Sequence, residues 1–217
     1  MIITKIKLGD SQILAGDPLR VLARIPTGSI QAIITSVPRP EFGLDAFLDR
    51  ASAIFAKAKR VLRRDATLWL HVGDGYAAPR DKNIKPGNLL GIPWRLVLRL
   101  QADGWYLRTE IICQIRNAMP EHIRDRPTRA HEYVFLLSPN RHYYYRQTEL
   151  LEPSGQNKRS VWLTAKRNHD GFPAGVVKSC VEVSTRPGDY VLDPFMISPA
   201  VQVAIEAEGR KYLGIQR

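Results

Sequence analysis

Short apolar runs alternate with amphipathic stretches along the whole chain. Runs rich in β-branched and aromatic residues at Ile2–Leu8, Ile30–Val37, Ala66–Val72, Trp105–Ile115, His131–Leu137, Tyr190–Phe195 and Lys211–Ile215 have the length of strands. Helical patterns fall between them at residues 11–25, 41–64 and 88–104. The second places Phe42, Phe47, Leu48, Ala51, Ile54, Phe55, Ala58, Val61 and Leu62 at spacings of three and four, one face for packing on a sheet. In the third, Asn88 is a possible cap and Gly104 a terminator. Ser198-Pro199 reads as another helix start. Residues 77–87 and 149–159 are polar and turn-rich, and read as surface loops. Strands alternating with helices predict an α/β fold.

In an open α/β sheet, ligands sit beyond the carboxyl ends of the strands. Four predicted strand ends carry unusual chemistry: Gly9-Asp10-Ser11, Thr35-Ser36-Val37-Pro38, Gly73-Asp74-Gly75-Tyr76 and Asp193-Pro194-Phe195. Each alone is ordinary turn composition. Four together predict a shared pocket.

Charge narrows the partner. The 217 residues include 32 Lys and Arg against 21 Asp and Glu, a formal +11 that favours a polyanion such as DNA or RNA. Two cysteines, Cys113 in a strand-like run and Cys180 in a helix-like one, lack metal-ligand spacing and read as buried free thiols. His122, His131, His142 and His169 share no ligand spacing, and His71 belongs to a buried strand, so no metal site is expected. With no apolar run of 18 residues and no signal-peptide pattern, a soluble intracellular protein is expected.

An ordered set of segments resembles the DNA amino-methyltransferases, which use S-adenosylmethionine to methylate the exocyclic amino group of adenine or cytosine. "LGDSQILAGDPLRVLARIPTGSIQAIITS" is similar to their opening, and "NLLGIPWRLVLRLQADGWYLRTEIICQIRNAMPEHIRDRPTRAHEYVFLLSPNRHYYY" to their central segment. "SVW", "NHDGFP" and "RPGDYVLDPF" follow in the family's order. The resemblance implies a Rossmann-like class I methyltransferase fold: a mixed, mostly parallel sheet with helices on both faces and the catalytic motif preceding the cofactor motif. It implies one domain over 1–217, with a catalytic half at 1–76, a central segment facing nucleic acid at 77–160 and a cofactor half at 161–217.

Both motifs depart from the family pattern. The catalytic motif, an Asp, Asn or Ser followed by Pro-Pro and an aromatic, is Ser36-Val37-Pro38-Arg39 here. That motif receives a flipped-out base. Ser36 keeps an acceptor oxygen, while Val37 loses a stiffening proline and Arg39 replaces the stacking ring. The cofactor motif, Asp-Pro-Phe followed by glycines, continues here as Met196, Ile197, Ser198, Pro199 and Ala200. Ile197 and Pro199 stand where glycines let the backbone approach a ligand closely. Gln216 stands where the family tends to place an acid for the ribose hydroxyls. Asp10 is taken as the adenine-contacting acid, and Asp193, with Pro194, Phe195, Ile197, Ser198 and Gln216, as the remnant cofactor site.

The resemblance puts Arg116, Arg124, Arg126 and Arg129 beside the substrate cleft as phosphate contacts, and Arg80, Lys82 and Lys85 in the polar loop at 77–87 are the next candidates. Tyr143, Tyr144 and Tyr145 read as the finish of a strand. Three functions follow: a DNA-binding member with weak or lost methyl transfer, the expectation favoured by the overwritten motifs; an active, site-specific methyltransferase of a restriction-modification system; or a structural or assembly subunit. S-adenosylmethionine is the expected cofactor if the protein is active, with none bound otherwise. DNA is the expected partner, with no membrane, in a prokaryotic or phage-type cytoplasm; a homodimer or larger assembly is allowed.

Overall fold

The computed structural model describes residues 6–40, 43–79, 81, 83–119, 122, 124–164 and 171–216. In chain order its elements are β1 (Gln12–Ala15), α1 (Pro18–Arg24), β2 (Ile30–Ser36), α2 (Leu44–Ala58), β3 (Leu62–Val72), α3 (Ile92–Ala102), β4 (Tyr106–Ile115), β5 (His131–Ser138), β6 (Val161–Thr164), α4 (Ala174–Ser184), β7 (Tyr190–Asp193), α5 (Pro199–Ala207) and β8 (Lys211–Gln216). The strands form one sheet in the order β1-β8-β7-β2-β3-β5-β4-β6. Pairing is parallel from β1 through β3, antiparallel on both sides of β5, and parallel again between β4 and β6. No helix among the described residues is long and apolar enough to cross a membrane.

β2 occupies the middle, between β7 and β3, and all seven of its residues are buried. A near-continuous apolar run such as IQAIITS suits a parallel strand covered on both faces. Ile33 packs with α1, α2 and α3, while Ala32 and Ile34 pack with α4 and α5. Ile30 lies on the same face as Ile33, three positions on, because a register shift between Ile30 and Ala32 resets the alternation.

Several boundaries differ from the sequence expectation for local reasons. Residues 6–8 form no strand, and residues 1–5 lie outside the described set. The first strand is instead Gln12–Ala15, inside the predicted helix 11–25. Gly16 at φ 136° breaks the segment, and α1 starts only where Asp17 caps it and Pro18 fits the first turn. α2 ends at Ala58, since Lys59–Val61 tighten into a 3₁₀ turn. The basic residues beyond it enter β3, where Arg63 pairs with Asp189 at 2.6 Å. Asn88 is not the cap of α3; Gly91, at φ 67°, is. Gly104, at φ 80°, stands just past the α3 C-cap, as expected. β5 stops at Ser138, so Tyr143, Tyr144 and Tyr145 do not finish a strand; Arg186 stacks over Tyr144 at 3.8 Å. Cys113 in β4 and Cys180 in α4 are free and buried.

Asp193, 1% exposed at the carboxyl end of β7, ties that strand to β2 and β8. Its Oδ1 accepts from Thr35 Oγ1 at 2.5 Å and from the N–H groups of Phe195 and Met196, and its Oδ2 from Tyr212 Oη at 3.3 Å. Gly214 leaves room for that tyrosine, because a Cβ there would stand 2.6 Å from its ring. Burial pushes the Asp193 carboxyl above its usual 3.8, and the Thr35 hydrogen bond offsets only part of this.

This packing generates two expectations for stability. Phe55 is fully buried and meets Phe195 edge-on at 5.8 Å, so Phe55→Ala should cost about 3–5 kcal/mol in urea unfolding. For Asp193, the folded state binds a proton more tightly than the unfolded chain, so this carboxyl favours folding as pH falls toward 3.8 and opposes it above its folded pKa. Asp193→Asn keeps one acceptor oxygen for Thr35 and the turn, and presents its amide to the Tyr212 oxygen. The stability of wild type relative to this variant should therefore rise as unfolding is measured from pH 7 down to about pH 4.

Candidate active site

Three neighbouring strands bring one polar side chain each to the same place. In the β2–β3 register Ser36 lies beside His71, and in the β3–β5 register Val72 lies beside Tyr133, which puts Glu132 diagonally next to His71. Residues at even spacing share a face. Ser36, His71 and Glu132 thus point to the α4 side with Trp69 and Val134. Ser36 Oγ is 2.8 Å from His71 Nδ1, and His71 Nε2 is 3.0 Å from Glu132 Oε2. Phe172 stacks on the imidazole with centroids 5.0 Å apart. Ser36 is 4% exposed, and a Cβ on Gly171 would stand 3.7 Å from its Oγ.

A serine, a histidine and a carboxylate in a chain invite comparison with hydrolytic triads. The surroundings do not suit acyl transfer. The N–H that follows the serine, that of Val37, already donates to the His71 carbonyl at 3.1 Å and so is not available to an oxyanion. What the geometry provides is a buried, oriented hydroxyl next to the carboxyl end of β7, where Thr35 and Asp193 join the two strands.

Two cavities flank these strand ends. The larger, about 950 Å³, opens on the α4 side and is lined by Glu132, Thr164, Gly171, Phe172 and Ser198 among others. The smaller, about 320 Å³, lies on the α2 side between Pro18, Pro38, Arg39, Phe47, Phe195 and Ile215. Of the catalytic remnant, Ser36 therefore faces one side while Pro38 and Arg39 border the other. Val37 is buried in the core beneath α2. Pro194 and Phe195 line the smaller cavity and Ser198 the larger, so Met196 and Ile197 lie between them in sequence. Met196 takes the left-handed φ of 38° that a glycine would adopt freely, held by its N–H bond to Asp193. Ile197 is 37% exposed, with its Cγ2 3.8 Å from where a Cβ on Gly171 would be. Ser198 caps α5 as its sequence suggests, accepting from the Ala200 N–H.

Asp10 is not part of this site. It precedes β1, is fully exposed, and lies 3.8 Å from Lys211 at the start of β8, the opposite end of the sheet from Asp193. The physical reason is the parallel β1–β8 pairing, which sends a residue before β1 to the amino ends of the strands. A second Gly-Asp pair, Gly16-Asp17, stands at the carboxyl end of β1. The Gly16 N–H donates to the Gln216 carbonyl at 2.8 Å, and Pro18 lines the smaller cavity. Asp17 caps α1 and accepts from Arg50. The signal that could have found it is local: only the second pair follows an alternating apolar segment and leads directly into a proline-started helix.

The basic candidates sit on loops at the same end of the sheet. Lys85 is exposed in the loop after β3, and Arg116, Arg124, Arg126 and Arg129 lie between β4 and β5. Arg126 stacks over Tyr76 at 4.1 Å and pairs with Asp125. Arg126 Nε and Arg129 Nη1 are buried atoms without hydrogen-bond partners among the described residues. Arg80 and Lys82 lie outside the described residues, as do Asn168, His169 and Asp170 of the "NHDGFP" segment. No group of three or more possible metal ligands occurs among the described residues. The His71–Glu132 pair is not legible in the sequence, because nothing in a linear pattern says that residues 36, 71 and 132 meet.

Residues 39–217 match the family model described as DNA methylase, N6_N4_Mtase. The chain is 41% identical to Type II methyltransferase M.Cfr9I of Citrobacter freundii, covering 97% of this chain and 85% of that protein. It is 32% identical to Type II methyltransferase M.SmaI of Serratia marcescens, covering 96% and 87%. Among solved structures, PvuII DNA methyltransferase (cytosine-N4-specific) superposes with a TM-score of 0.83 at 18% identity, over 98% of this chain and 83% of that one. The putative DNA modification methylase TTHA0409 of Thermus thermophilus, complexed with S-adenosyl-L-methionine, gives 0.75 at 23% identity, over 95% and 87%. These structures share the class I methyltransferase fold, and the sequence relatives carry the assignment further: the chain belongs to the N6/N4 DNA methylase family, the DNA amino-methyltransferases.

Proposed function

We propose that this protein transfers a methyl group from S-adenosylmethionine to an exocyclic amino group of a base in DNA. The observation that carries the reading is the place of Ser36: the acceptor retained from the catalytic motif lies, oriented and buried, one strand away from Asp193. Base side and cofactor side thus adjoin, as direct transfer requires. The names of the relatives, Type II methyltransferases, and of the cytosine-N4-specific PvuII enzyme support the same activity.

The cavity of about 320 Å³ falls within the size range of small-molecule sites, and its Pro18, Phe47, Phe195 and Ile215 walls suit a nucleoside. Asp17 and Gln216, each next in sequence to a lining residue, Pro18 and Ile215, would supply polar contacts. When bound, S-adenosylmethionine supplies an electrophilic methyl group on a sulfonium. The chain's own task is to accept the amino hydrogens through Ser36, to hold the base while water is kept out, and to grip the phosphates of the flanking DNA. Arg116, Arg124, Arg126, Arg129 and Lys85 are proposed for that last role, together with Arg80 and Lys82.

A second reading, DNA binding with transfer lost, is favoured by Ile197, a branched side chain where close backbone approach is expected. The two separate in one experiment: incubation with labelled S-adenosylmethionine and DNA, then digestion and mass spectrometry for N4-methylcytosine and N6-methyladenine. A methylated base supports transfer. Neither product, with DNA still bound, supports the second reading, and Ile197→Gly should then tighten cofactor binding measured by calorimetry. For the interface, Arg124→Ala with Arg129→Ala should weaken binding to all DNA sequences alike and lower the slope of log K against log salt by roughly 2.

A further inference from the structure

The hydrogen-bond chain behind Ser36 runs through His71 to a carboxylate at its far end. Glu132 Oε2 lies 3.0 Å from His71 Nε2, and a carboxylate can only accept, so the ring proton sits on Nε2. The Glu132 charge is felt by the next strand as well: burial foremost, then this carboxylate, push the Cys113 thiol up to about 12. In the neutral imidazole that tautomer leaves the lone pair on Nδ1, to which the Ser36 hydroxyl, 2.8 Å away, donates. The opposite tautomer would set the Nε2 lone pair against the carboxylate oxygen with no proton between them. A further contact fixes the ring: Phe172, 2% exposed, stacks on it within 23° of parallel.

A free serine hydroxyl can donate or accept. This one has its proton drawn inward, which leaves both oxygen lone pairs for a ligand. We propose that His71, held by Glu132, makes Ser36 an obligate hydrogen-bond acceptor for the target amino group and receives the proton that Ser36 passes on. The proposal rests on the transfer reading given above. As the new N–C bond forms and the S–C bond of the sulfonium donor breaks, the amino nitrogen must lose one proton. That proton goes to Ser36 Oγ while the hydroxyl proton moves to His71 Nδ1. The result is a methylated neutral amine, a neutral thioether and an imidazolium beside the Glu132 carboxylate, with charge and atoms conserved. His71 and Glu132 never touch the base in this scheme; they are positioning residues acting through Ser36.

The test has two arms on the full chain. In ¹⁵N-histidine NMR, His71 should carry its proton on Nε2, and Ser36→Ala should shift Nδ1; a proton on Nδ1 overturns the proposal whatever the activity. In single-turnover transfer from S-adenosylmethionine to DNA, His71→Phe, which keeps a ring against Phe172, should slow transfer by about 100-fold or more. Affinities for cofactor and DNA should stay within about threefold, while His71→Asn, whose side-chain oxygen lies near the Nδ1 position, should recover about tenfold of the loss. Equal rates in wild type and His71→Phe, or no recovery by His71→Asn in a folded protein, overturn it. Should His71→Phe not fold, a wild-type rate in Glu132→Gln would do the same. A wild-type protein that binds cofactor and DNA but transfers nothing overturns the transfer reading and the proton-accepting role with it. The hydroxyl's orientation then still stands or falls on the tautomer.

Discussion

The register of β2 between β3 and β7 is the constraint on which the site depends. Side chains alternate across a sheet with a period of two, so a slip by one residue would turn Ser36 to the α2 face and move Thr35 away from Asp193. Burial of all seven β2 residues forbids that slip, because it would exchange the sets of apolar side chains that pack on the two helical layers. The same register that builds the core therefore places Ser36 beside His71 and Thr35 beside Asp193. Fold and site are one arrangement here, not a scaffold with groups attached.

That arrangement recasts the overwritten motifs. Val37 is a core residue, and its N–H continues the pairing with β3. Arg39 borders the cavity on the α2 side, away from the face that carries Ser36. After β7, Asp193 accepts from two successive N–H groups and holds Met196 left-handed, which shapes the turn but leaves Ile197 and Pro199 where the motif has glycines. The buried carboxylate costs stability at neutral pH, and hydrogen bonds from Thr35 and Tyr212 offset part of that cost. Ile197 has no such compensation, and it is the residue on which the two functional readings divide.

How far the linear pattern reaches depends on the range of the interactions. Buried strands such as β2, β7 and β8 and the amphipathic α2 are legible, since continuous apolar runs and a three-four spacing are local signals. β1 reads as helix, because four residues with one Gly-Asp pair on each side carry too little pattern, and its pairing with β8 is what makes it a strand. Taking Asp10 as a site acid follows from that error. With the strand placed one segment too early, the wrong Gly-Asp pair stands at its end.

The sequence by itself determined the fold class, the family and the two motifs that meet at the strand ends, because all of these are written in residue order and spacing. Tertiary structure decided that Asp10 lies at the amino ends of the strands, which side Arg39 borders, and that Ser36, His71 and Glu132 form one chain of hydrogen bonds. The reason is physical: hydrogen bonds between residues 35 and 61 positions apart depend on strand order and register, and these are set by burying the whole sheet at once.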